Sequence, residues 1–102
     1  WENPVNTVYN FVRGMSTYPA AFTVLKIGEE VKFLKIFEGK YEITDHNKNS
    51  GTLEIDKSQF KIYTIDGFYS PLEVQLEGKK RMKIKDFLNG FREFENISIS
   101  EN

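Results

Sequence analysis

From Ala20 to Leu76 the chain is a succession of short segments in which apolar and polar residues alternate, each ended by a turn signal. A period of two marks a half-buried strand, because successive side chains on a strand point to opposite faces. Phe22–Ile27 and Glu30–Phe37 flank Gly28-Glu29, which reads as a hairpin turn. Residues 45 to 51 form a polar loop by composition. Thr52–Ile55 and Phe60–Ile65 read as two further strands. Asp66-Gly67 is the strongest hairpin signal, since a type I′ turn needs positive φ at its centre. Leu72, Val74 and Leu76 then alternate with Glu73, Gln75 and Glu77, giving a strand with one wet face. Pro71 cannot donate to a ladder and is expected at the start or edge of that strand.

A helix is expected on each side of this strand-rich stretch. Over residues 3 to 14, Asn3 suits an N-cap, Pro4 suits the first helical position, and Val5, Val8, Tyr9 and Val12 make one apolar face. Gly14 can take the left-handed conformation that ends a helix. A second small helix spans about 84 to 89, with Gly90 as its stop. Five or six short strands with tight turns and two small helices predict an all-β domain, a closed or nearly closed antiparallel barrel that leaves few edges exposed.

At 102 residues the chain holds one domain, and nine Phe and five Tyr argue against a disordered chain. Phe22, Phe33, Phe37, Phe60 and Phe87 fall at core spacing, whereas Tyr69 and Tyr18 are the aromatic residues to expect at the surface. The absence of cysteine excludes disulfides, thiolate metal sites and a Cys nucleophile. No apolar run approaches the roughly 20 residues that span a bilayer, so no membrane partner and a cytoplasmic location are expected. The sequon at Asn96-Ile97-Ser98 comes without a secretory signal, and a chain opening on Trp1 reads as a piece of something longer.

Little in the sequence suggests catalysis. The one histidine, His46, sits between Asp45 and Asn47, residues that favour turns, and reads as a solvated loop side chain. No serine has a nucleophile-elbow context, and Glu73 and Glu77 share the wet face of one strand. No catalytic residue, metal or bound cofactor is therefore expected in this chain.

Charge is unevenly placed. Lys79, Lys80, Arg81, Lys83 and Lys85 put five basic residues within seven positions. From Ser70 to Arg92, six basic residues face three acidic ones, so that stretch carries +3 and the rest must carry −4 to reach the net −1. Screening limits each charge to about 8–10 Å, so a local cluster can attract phosphates although the whole chain is slightly acidic. A lysine run is often only a solvated surface. Here Met82 and Ile84 interrupt the charges and offer apolar anchors that pin the segment.

Several strings resemble a known family. Trp1-x-x-Pro4 and Val12–Thr23 resemble the start of the C-terminal domain of methionyl-tRNA formyltransferases. Asp66-Gly67, Gln75, Gly78-Lys79-Lys80-x-Met82 and Asp86-Phe87-Leu88-Asn89-Gly90-x-Arg92 resemble that domain's later part, in the same order. The resemblance departs at Thr17, Phe22, Leu76 and Glu77. It implies an open Greek-key barrel, like the oligonucleotide-binding (OB) barrel, preceded by a helix. It also implies a non-catalytic domain that contacts initiator tRNA and acts in cis with an N-terminal formyltransferase domain. That domain would use 10-formyltetrahydrofolate to formylate the amino group of methionyl-tRNA. By the same resemblance Lys79 and Lys80, then Arg13 and Arg92, join Arg81, Lys83 and Lys85 as tRNA-contact candidates. The competing expectation is an accessory or assembly domain of a sugar-nucleotide or folate-hydrolysing formyltransferase, which the net charge of −1 would suit.

Overall fold

The computed structural model describes residues 1–14 and 21–100, so Tyr18 lies outside the described residues. Helix α1 (Val5–Gly14) precedes strands β1 (Ala21–Ile27), β2 (Glu30–Ile43), β3 (Leu53–Asp56), β4 (Gln59–Tyr63), β5 (Gly67–Leu76) and β6 (Arg81–Lys83). Helix α2 (Ile84–Asn89) and strand β7 (Ile97–Ile99) follow. The strands pair antiparallel in the order β3-β4-β5-β2-β1-β7, and β6 adds to β5. Three hairpin-linked strands, β3 to β5, return to lie beside β2, which is the Greek-key arrangement. The outer strands β3 and β7 approach one another, so the sheet is a nearly closed, OB-like barrel.

Core positions follow the alternation. Leu25, Leu34, Ile36, Ile62, Tyr69 and Val74 are almost completely buried, with Val5 and Val12 of α1 on one side and Phe87 and Leu88 of α2 on another. The opposite face of β1 and β2 stays wet: Phe22 is 60% and Phe33 53% exposed, their rings edge to face at 5.3 Å. Phe37 is only half-buried, so of the five phenylalanines expected in the core Phe60 and Phe87 are there. Tyr69 corrects the expectation in the other direction, being fully buried. Periodicity separates two faces of a strand but does not say which one the rest of the barrel covers.

Strand β2 continues six residues beyond Phe37, bending where its register with β5 shifts between Ile36 and Gly39. Pro71 lies opposite this irregularity, in the middle of β5 rather than at its start, and β5 is a central strand. The other edge of β5 is shared: β4 takes Phe68 and Tyr69, and β6 takes Glu73 to Gln75. Pro71 therefore falls in the step between two ladders and opposite a bulge, where a missing N–H costs least. Gly39 is required at the bulge, because a Cβ there would lie 2.0 Å from the Tyr69 hydroxyl.

The Asp66-Gly67 expectation is corrected in its geometry. A hairpin does join β4 to β5, but its two loop residues are Ile65 and Asp66, closed by Thr64 N–H donating to Gly67 O at 2.8 Å. Gly67 opens β5 without positive φ. It is glycine because a Cβ would lie 2.0 Å from the Glu42 carbonyl oxygen. Asp66 is spent elsewhere: its Oδ1 accepts the Val5 N–H at 2.8 Å, capping α1 from 61 residues away. Asn3 is thus not the acceptor that meets this N–H; the helix begins at Val5, with Pro4 O accepting from Val8 N. Gly14 ends α1 without positive φ.

His46 is not a freely solvated side chain either. Its Nε2 lies 2.7 Å from Thr64 O, its Nδ1 accepts from Lys48 N at 3.1 Å, and its ring meets Tyr63 edge to face at 4.8 Å. With Nδ1 accepting, the proton sits on Nε2 and is donated to Thr64 O, so the ring staples the 44–52 loop to the β4–β5 turn. Strands β6 and β7, three residues each, were not visible in the alternation. Both form by pairing with longer strands, β5 and β1.

Candidate functional site

The basic run becomes an ordered hairpin. Lys79 N–H donates to Leu76 O at 2.9 Å and the Gln75 side chain donates to Lys79 O at 3.0 Å, which fixes the turn out of β5. In β6, alternation sends Met82 inward and leaves Arg81 and Lys83 exposed. Met82 and Ile84 pack against the core, so the segment is pinned at two apolar points, as expected.

Two of the five cations are tethered. The carboxylate of Glu73, across from Lys83 in the β5–β6 register, pairs with Arg81 and lies 3.8 Å from the Lys83 ammonium. The Arg81 guanidinium also stacks on the Phe37 ring, 3.9 Å from its centroid. Glu73 is therefore the hub of an ion pair and not one of two carboxylates on a common wet face. Glu77 turns away, accepting the Phe33 N–H at 3.0 Å through Oε1. Lys79, Lys80 and Lys85 are exposed, and among the described residues their side chains make no hydrogen bond or ion pair.

The two outlying candidates differ. Arg13, at the end of α1, sits 5.9 Å from the Tyr9 ring and lines a cavity that Phe37 also lines. Because Phe37 carries Arg81 on its ring, Arg13 and the cationic hairpin flank one aromatic side chain. Arg92 is exposed beyond α2 and joins no ion pair among the described residues. Sequence reasoning missed Glu73 and Phe37 as the partners that orient Arg81. No local signal links them, because they meet only through strand pairing.

The arrangement can hold an anion. Free ammonium groups beside a guanidinium of fixed orientation match phosphate oxygens, and a pinned cation gives up little freedom on binding. Among the described residues no three His, Asp or Glu side chains converge as metal ligands. No helix among them is long and apolar enough to cross a membrane.

Fold and site together define a class, a helix-preceded, OB-like Greek-key barrel bearing a cationic hairpin. The chain belongs to the family described as formyl transferase, C-terminal domain, whose sequence profile matches residues 1–92. Among its curated relatives, the methionyl-tRNA formyltransferase of Phocaeicola vulgatus is 41% identical over 97% of this chain and 31% of its own length. Those of Parabacteroides distasonis and Bacteroides thetaiotaomicron are 43% and 45% identical, over 97% and 90% of this chain and 31% and 29% of their own lengths. The chain thus spans less than a third of these relatives.

Proposed function

We propose that this chain is the tRNA-contacting domain of a methionyl-tRNA formyltransferase. It would act in cis with a catalytic domain that takes the formyl group from 10-formyltetrahydrofolate and works in the cytoplasm. The observation that carries the reading is the pinned β5–β6 hairpin, with Arg81 oriented by Glu73 and Phe37 beside exposed Lys79, Lys80 and Lys85. Such groups hold the RNA backbone and set its register without reading its sequence. Arg13 and Arg92 extend the contact to the ends of the two helices.

With so few phosphate contacts the isolated domain should bind initiator tRNA weakly, on the order of 10⁻⁴–10⁻⁶ M, and lose affinity steeply with salt. The test is a titration of labelled initiator tRNA at several salt concentrations. Joint replacement of Lys79, Lys80 and Arg81 by Ala should flatten the salt slope by about 0.7–0.9 for each phosphate the variant no longer neutralises. An unchanged slope removes the hairpin from the interface. Absence of binding at low salt favours the accessory-domain reading, in which the barrel serves packing or assembly.

A further inference from the structure

A cavity of about 260 Å³ lies between the second half of α1, the bulge of β2 and the middle of β5. Tyr9 and Phe37 supply its aromatic walls, and Arg13 and Glu38 supply a cation and a carboxylate. Tyr69 also lines it, and here the structure carries an unexplained feature. The Tyr69 side chain is fully buried, yet among the described residues its hydroxyl has no hydrogen-bond partner. Buried polar groups are nearly always satisfied, so a hydroxyl left without a partner beside a cavity is one that a polar atom entering the cavity would satisfy. The bulge lets the Gly39 backbone pack directly against that hydroxyl, where a Cβ would lie 2.0 Å from it. Burial, with Tyr9 and Glu38 nearby, pushes the Tyr69 phenol well above its ordinary range, so it stays protonated and can donate.

We propose that this cavity receives one unpaired nucleobase, an inference that rests on the RNA-contacting reading and adds a base contact to it. Four features select that ligand. The volume lies below the roughly 300–1,000 Å³ of pockets for drug-sized ligands, so it suits a single flat ring system. Two aromatic walls fit a π face, the way unstacked RNA bases are usually held. A carboxylate acceptor, a guanidinium donor and a phenol hydroxyl match the adjacent donors and acceptors of a base edge, whereas Glu38 would repel a phosphate. Finally, Phe37 is shared: Arg81 of the cationic hairpin stacks on the ring that walls the cavity. A backbone held along the hairpin therefore passes the cavity mouth.

The test titrates AMP, GMP, CMP and UMP separately into the ¹⁵N-labelled protein at low salt, with ribose 5-phosphate as the control. At least one nucleotide should shift the amides of Tyr9, Arg13 and Gly39, and the control should not. Tyr69→Phe should weaken that binding roughly 3- to 10-fold, the range for removal of one hydrogen bond. The same variant should raise Tm by about 4–8 °C, since it removes an unsatisfied buried group. Leu72→Trp at the cavity's half-open rim should abolish binding in a folded protein. Equal binding of ribose 5-phosphate, silent amides with all four nucleotides, or a Tyr69→Phe protein that binds unchanged would each overturn the proposal. If initiator tRNA still binds through Lys79, Lys80 and Arg81 while Tyr69→Phe and Leu72→Trp have no effect, the base pocket fails and the RNA reading stands. If nucleotides fill the cavity but initiator tRNA does not bind, the pocket stands and the tRNA reading fails.

Discussion

Replacing Asp66 by Ala should destabilise the whole domain, although Asp66 sits in a two-residue loop that sequence alone would treat as expendable. Its Oδ1 holds the Val5 N–H at 2.8 Å, and Val5 is a fully buried residue in the first turn of α1. Loss of a capping side chain costs about 1 kcal/mol, within about 0.5–2. A carboxylate at a helix N-terminus adds roughly 0.3–1 kcal/mol through the helix dipole. Together the loss is about 1–2.5 kcal/mol, a substantial share of the roughly 5–15 kcal/mol that holds such a domain together. Each kcal/mol lowers Tm by about 4–8 °C in a chain of this size. The assay is urea unfolding followed by far-ultraviolet circular dichroism and by fluorescence of Trp1. That indole donates to Thr23 across the helix–barrel junction, so it reports whether α1 stays docked. Asp66→Asn keeps an acceptor oxygen and loses the charge, so it should cost only the dipole part, about 0.3–1 kcal/mol. An Asp66→Ala protein within about 0.3 kcal/mol of the parent, or an Asn variant as damaged as the Ala variant, would refute the long-range cap.

Gly67→Ala should be more damaging, by about 3 kcal/mol or more, because the new Cβ meets the Glu42 backbone oxygen at 2.0 Å in a central strand pair; chemical denaturation or loss of soluble protein will show it. Arg81→Ala should cost about 1 kcal/mol by losing Glu73 and the Phe37 ring, whereas Lys79→Ala and Lys80→Ala should stay within about 0.5 kcal/mol, so urea midpoints of the three separate anchoring from binding. Stability should also fall above about pH 10. Burial raises the Tyr69 phenol in the folded state, so the unfolded chain releases its proton first and favours unfolding as pH rises. The contribution is whole below the unfolded value near 10 and is lost towards the folded one, at up to about 1.4 kcal/mol per pH unit; denaturation curves at pH 9 to 11 should be flatter for Tyr69→Phe.

Much of the fold was legible because it is local. The Gly28-Glu29 turn, the short helix over Ile84–Asn89 and the hairpin ladders follow from alternation, turn chemistry and an apolar stripe, all readable within a few residues. The basic run and its two apolar anchors were equally plain in the order of residues. Three-residue strands such as β6 and β7 carry too short a pattern to be seen, and exist because β5 and β1 offer them an edge.

The sequence by itself determined which residues alternate, where the chain turns and where its positive charge gathers, since these depend on neighbours along the chain. The tertiary structure alone decided which face is covered, leaving Phe22 and Phe33 in water and burying Tyr69. It alone carried β2 through its bulge, placed Pro71 opposite and brought Asp66 to the start of α1. It also chose which cations are held, since Glu73 and Phe37 reach Arg81 only once β2, β5 and β6 lie side by side. Contacts between residues tens of positions apart depend on how strands are ordered across a sheet, and that order is set by the packing of the entire barrel.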